Sequence, residues 1–190
     1  MDLIIASSNT NKIRRLKKLI SIIKPEIKLK DLENQIIKTP PENSNQQEKN
    51  LMMKLKYYHR ILGKNVICED DAVKFETKEG LVSVVKVNSF FLKTDNIYQQ
   101  WKKYFRVNQI NQGKLIKFFG VIIDGKIGIT KVMIPLIIKS EGIINNKIEK
   151  NVLNNFIGPQ SEGMTFTEMS QTEKDDYFKR ICLPILGQII

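Results

Sequence analysis

Apolar and polar positions follow two rhythms along this chain, and the switches between them mark its elements. Leu3 to Ala6 is a short apolar run that ends in the polar turn "SSNTN", which predicts a buried strand. Ile13, Leu16, Leu19, Ile20 and Ile23 then recur at helical spacing, with Arg14, Arg15, Lys17 and Lys18 on the other faces. The segment "KTPPENSN" turns the chain, and Ser44 with Gln47 forms an S-x-x-Q capping box ahead of a second helix. That helix buries Leu51, Leu55, Tyr58 and Leu62, and Gly63 is its natural stop. Val66, Ile67 and Cys68 predict a strand that leaves the core where Glu69, Asp70 and Asp71 begin. Strands are also predicted over 81–87 and 114–138, the second with an Asp124-Gly125 hairpin turn. Between them, Ile97, Tyr98, Trp101, Tyr104 and Phe105 line one helix face. Ser170 and Glu173 cap a last helix that Pro184 should bend or end, and "IINNKIEKNVLNN" reads as a loop. Helices and strands alternate, so the class is α/β.

Composition adds bounds. A chain of 190 residues fits one domain over 1–190, or one with a smaller lobe. No apolar run approaches the ~18 residues of a bilayer span, and the start "MDLIIASSNTNK" does not read as a signal peptide, so a membrane partner is not expected. Cys68 and Cys182 lie far apart without metal or redox spacing, which makes a reduced, cytoplasmic protein the expectation. Charge changes the picture more. Lys and Arg number 31 against 20 acids, a formal +11 that favours polyanions such as RNA. Codon drift is the alternative, since Lys, Asn and Ile are all abundant. Arg14, Arg15, Lys17 and Lys18 are candidate RNA contacts, or else a solvated helix surface. Lys102, Lys103 and Arg106 interleave with aromatics that could stack on bases, although a core stripe is the more common explanation for that spacing.

Three features carry chemistry. The turn "SSNTNK" offers backbone N–H groups, hydroxyls and Lys12 to an anion, or is simply a helix cap. The acids at 69–71 could hold Mg²⁺, a hard cation that takes one or two carboxylates, or form a solvated loop. "GMTFTEMSQTEKDDYFKR" brings Lys174 and Arg180 onto one loop and helix.

Together, and in this order, these pieces resemble the inosine triphosphate pyrophosphatase (Ham1) family. The matching pieces are Ser7-x-Asn9-x-x-Lys12, Pro41-Glu42, Lys54, "CEDDAVKF" and "TFTEMSQTEKDDYFKR". The resemblance implies a twisted mixed sheet flanked by helices, with two lobes around a long cleft. The turn at 7–12 and the acids at 69–70 should then face each other across that cleft. It also implies Mg²⁺-dependent cleavage of ITP, XTP and their deoxy forms to monophosphate and pyrophosphate, usually by homodimers. By matching position, Ser7, Asn9, Lys12, Lys54, Lys174 and Arg180 would hold the triphosphate. Glu42 and Glu69 would hold the metal, and Asp70 would orient or deprotonate the water.

The sequence also departs from that pattern. The family's glycine-rich loop over the purine should precede Phe156, where "EKNVLNNF" stands. Its S-H-R motif has become Phe178-Lys179-Arg180, and Asp71 follows the acid pair where Ser or Thr is usual. Residues for phosphate are kept and residues for the base are lost. The leading expectation is therefore a family-fold protein, weak or silent in catalysis, that binds RNA or a ribonucleoprotein such as the ribosome. A working pyrophosphatase with relaxed specificity and a non-catalytic nucleotide-binding subunit are the alternatives.

Overall fold

A computed structural model describes residues 1–32, 40, 44–84, 90–91, 96–143 and 151–190. Among the described residues, strands β1 (Asp2–Ile5), β2 (Lys28–Asp31), β3 (Val66–Thr77), β4 (Gly80–Val84), β5 (Gln112–Ile123), β6 (Lys126–Ile138) and β7 (Ile157–Pro159) form one mixed sheet in the order β2-β1-β3-β5-β6-β7, with β4 paired to β3. The chain divides into two compact units. The first holds Met1–Asp71, Lys117–Val132 and Asp175–Ile190; the second holds Ala72–Ile116 and Met133–Lys174.

In the first unit, β1 (Asp2–Ile5) runs parallel to β2 (Lys28–Asp31) and, on its other side, to β3 (Val66–Thr77). A strand with parallel partners on both sides is covered on both faces, which is why Leu3, Ile4 and Ile5 are all apolar and all buried. Helix α1 (Thr10–Ile23) packs the predicted Leu16, Leu19 and Ile20 onto this layer. From α4 (Gln171–Leu186), Cys182 and Leu186 join the same core, beside Phe119 and Val121 of β5 (Gln112–Ile123).

Helix α2 (Gln47–Leu62) ends at Gly63, whose φ of +59° is the left-handed stop expected there. Its other end differs from expectation. Ser44 and Gln47 do not form a capping box; Ser44 Oγ accepts from the Gln46 amide instead. The carboxamide of Asn50 folds back on Ser44, accepting from its N–H at 3.0 Å and donating to its C=O at 2.9 Å. A buried Asn thus does what the Gln was expected to do.

The larger correction concerns β3. It continues through Glu69, Asp70 and Asp71 to Thr77, so the three acids lie inside the strand rather than at its tip.

The second unit is built on aromatics. Helix α3 (Ile97–Val107) buries Trp101 and Phe105 against Phe75 of β3, with ring centroids 5.9 and 5.1 Å apart. Trp101 and Phe105 of the predicted stripe are therefore core, whereas Tyr98 and Tyr104 are half-buried and Ile97 is exposed. Strand β4 (Gly80–Val84) pairs antiparallel with the second half of β3, and β7 (Ile157–Pro159) pairs antiparallel with the end of β6 (Lys126–Ile138). Asp124 and Gly125, both at positive φ, make the expected two-residue turn from β5 to β6. Within the Asn-rich loop, Val152–Asn155 is a 3₁₀ turn that leads to a fully buried Phe156; the rest of that stretch, 144–150, lies outside the described residues. Ser170 and Glu173 do form their reciprocal capping box, at 2.7 and 3.2 Å. Pro184 falls in the last turn of α4, which continues two residues past it.

Candidate functional site

The polar turn after β1 is a helix cap. Ser7 Oγ accepts from the Asn9 N–H at 3.1 Å, and Asn9 Oδ1 accepts from the N–H groups of Asn11 and Lys12 at 3.0 and 3.2 Å. Fixing that first turn aims Lys12 at β3. Its ammonium lies 3.5 Å from Asp70 Oδ1 and 3.4 Å from Asp71 Oδ2, and it donates to the Glu69 carbonyl at 3.3 Å. From α2, Lys54 reaches the other Asp70 oxygen at 2.8 Å. The sequence placed the Lys12 turn and the acids across a cleft; they meet inside one unit, at hydrogen-bonding range.

Alternation along a strand separates Asp70 from Glu69 and Asp71. Those two share one ammonium, that of Lys117 on β5, at 2.7 Å from each. The guanidinium of Arg15, one turn along α1 from Lys12, forks onto both oxygens of Glu69. Phe178 of α4 lays its ring beside these two cations, with Arg15 Cζ 5.1 Å and Lys117 Nζ 5.0 Å from its centroid. The result is two layers. Glu69 and Lys117 are shut in, at 0% and 2% side-chain exposure, whereas Asp70 keeps 10% and Asp71 30%.

Buried charges persist when each finds a counter-charge. Every carboxylate oxygen of Glu69, Asp70 and Asp71 has a nitrogen of Lys12, Arg15, Lys54 or Lys117 within 3.5 Å. Burial pushes the Asp71 and Glu69 carboxyls up, but the cations overcome it, Lys117 foremost, and hold both below the ordinary carboxylate range. Burial likewise opposes the charge on Lys12, and Asp71, Glu69 and Asp70 outweigh it and raise that ammonium above its ordinary value.

The structure therefore gathers Lys12, Lys54, Glu69 and Asp70, with Ser7 and Asn9 shaping the turn. Arg180 is exposed, its guanidinium 5.4 Å from the Tyr177 ring, and Lys174 sits in the first turn of α4, in the second unit. Glu42 lies outside the described residues. Glu69 does not fit the metal-ligand role that resemblance assigned to it, because Arg15 and Lys117 already occupy its oxygens and solvent does not reach them. No cluster of three or more His, Cys, Asp or Glu suited to a metal occurs among the described residues.

Two members escaped the sequence. Helical spacing puts Arg15 on the basic face of α1, yet it is a buried partner of Glu69. Lys117 belongs to no motif, and its one sequence signal is that it stands as a lone lysine inside the run "LIKFFGVII". The other proposed RNA contacts are mostly in ion pairs. Arg14 and Lys18 meet Asp175 at 3.2 and 3.5 Å, Lys17 meets Asp31 at 2.6 Å, and Lys102 and Arg106 meet Glu141 at 2.9 and 2.6 Å. Lys103 is exposed on α3. Among the described residues no helix is long and apolar enough to cross a membrane.

No curated protein sequence matches the chain. Among the solved structures that share its fold are three at low identity. A HAM1 protein from Coxiella burnetii superposes with a TM-score of 0.81 at 14% identity, over 99% of this chain and 97% of that one. The Staphylococcus aureus Ham1 protein gives 0.71 at 16%, over 92% and 89%. A nucleoside-triphosphatase / dITP/XTP pyrophosphatase from Mycobacterium abscessus gives 0.70 at 14%, over 95% of each. The Ham1 family sequence profile matches residues 3–125, more than half of the chain. The chain belongs to the Ham1 family.

Proposed function

We propose that the chain is a nucleoside triphosphate pyrophosphatase that grips its substrate by the phosphates and reads the base weakly. The observation that carries this is the convergence of Lys12 and Lys54, from two different helices, on the partly exposed carboxylate of Asp70. A triphosphate carries more negative charge than one carboxylate, so its oxygens compete for both ammonium groups. As Lys12 and Lys54 turn to the phosphates, Asp70 is released to accept a proton from water. The water oxygen then bonds to the α-phosphorus while the bond to the bridging oxygen breaks, giving monophosphate and pyrophosphate. Lysines on the phosphates stabilise the charge that moves onto the leaving group.

Mg²⁺ would be held by the oxygens of Asp70 and Asp71 that Lys12 vacates as it turns to the phosphates, and would supply water activation and charge neutralisation there. Weak base reading follows from the missing glycine-rich loop before Phe156 and the missing histidine at Lys179. An RNA-binding role is less well supported, because five of its candidate contacts, Arg14, Lys17, Lys18, Lys102 and Arg106, are in ion pairs with the chain's own acids.

The test is pyrophosphate release from ITP, XTP, dUTP and the common triphosphates with Mg²⁺. Turnover should be spread over several bases. Asp70→Asn should lower kcat by about 10²–10⁴-fold, and Lys12→Ala should act mainly on KM. Folded protein that releases pyrophosphate from none of them would sink the proposal.

A further inference from the structure

Asp71 and Phe178 stand at two of the positions where the sequence leaves its family's pattern, and the fold brings them to the same ammonium. Lys117 Nζ is 2.7 Å from Asp71 Oδ1, 2.7 Å from Glu69 Oε1 and 5.0 Å from the Phe178 ring centroid. Two carboxylates on one face of a strand repel each other and cannot both stay ionised in a buried place without a cation between them. A shared proton is one solution and a bridging divalent ion another. Here the position between the carboxylates is filled by a side chain that is 2% exposed, with Arg15 closing the far side of Glu69 and an aromatic face beside both cations.

We propose that Lys117, seated between Glu69 and Asp71, is a resident cation of this site, doing there what a bound divalent metal ion does between two carboxylates. The inner layer then assembles without metal, and Glu69 recruits none. This goes beyond turnover: it concerns how the acids are held, whether or not a nucleotide is cleaved. Any divalent ion used in the reaction is confined to the outer carboxylates.

The proposal is tested by thermal unfolding and Mn²⁺ titration of the nucleotide-free protein. Wild type should show no metal uptake that Glu69→Gln removes. Lys117→Met leaves the two carboxylates facing each other with one cation fewer. It should melt lower and recover on adding Mg²⁺ or Mn²⁺, by about 3–6 °C at metal tenfold over Kd. The double variant Lys117→Met with Glu69→Gln should lose that response. A Lys117→Met protein whose melting ignores divalent ions overturns the proposal. If that variant does not fold, wild type decides: ion uptake that depends on Glu69 refutes a resident lysine, and its absence bears the lysine out.

Discussion

Arg14, Arg15 and Lys18 are neighbours on one helix, yet charge reversal should affect them very unequally. Arg14 and Lys18 are about half exposed and share Asp175, an arrangement that contributes up to ~1 kcal/mol per pair. Arg15 instead forks onto a carboxylate with no exposure at all. Arg15→Glu would add a further carboxylate to the Glu69–Asp71 pair, and breaking a buried pair costs about 3–5 kcal/mol. Urea unfolding of the three single variants should show one large loss, at Arg15, and two near-neutral changes. Equal midpoints for all three would show that the inner layer is not a buried network. The sequence could not separate these residues, because helical periodicity tells which positions face the sheet layer and not which of the remaining ones lean over its edge. Arg15 lies next to the apolar Leu16 stripe, and the burial of Leu16, Leu19 and Ile20 turns it toward Glu69 of β3.

At the scale of elements, the position of Lys54 depends on how closely α2 approaches β5. Gly120 permits that approach: a Cβ there would stand 2.4 Å from Leu55 Cδ1 and 3.1 Å from Leu51 Cδ2. Gly120→Ala should therefore overpack this contact and destabilise the fold by about 1–3 kcal/mol. Leu55→Ala should be less harmful in the Gly120→Ala chain than alone, since it makes the missing space; a double-mutant cycle reads the coupling. Strict additivity would show that the helix does not rest on this glycine. Most elements were legible in advance. The α1 and α2 stripes, the Asp124-Gly125 turn and the Ser170–Glu173 box are local patterns with local causes. What failed was non-local. β3 was expected to stop at its acids because a run of carboxylates reads as a strand end, and only Lys12, Arg15, Lys54 and Lys117, distant in sequence, make it tenable to continue. The α2 cap failed for a smaller reason, since Asn50 competes for Ser44 from one turn inside the helix.

For the whole molecule, the charge cluster sets the pH range of the fold. Glu69 and Asp71 are held below the usual carboxylate range when folded and return to about 4 when unfolded. Their stabilisation is complete above about pH 4 and is lost as pH falls further, toward their folded values. Lys12, raised when folded, stabilises below its unfolded value of about 10.4 and loses this only as pH rises through its higher folded one. The protein should thus hold a broad plateau of stability and fail on an acid limb below about pH 4. That limb should be shallower in Asp71→Asn, measured by urea midpoints from pH 2.5 to 7 (settings near the ordinary carboxylate range); the same acid limb in both proteins would remove Asp71 from the account. The closed network of buried charges also constrains descent. A single replacement at 12, 15, 69, 71 or 117 strands a partner, so these positions should drift in concert, and a lineage that loses the lysine at 117 should gain by neutralising an acid or acquiring a metal ion.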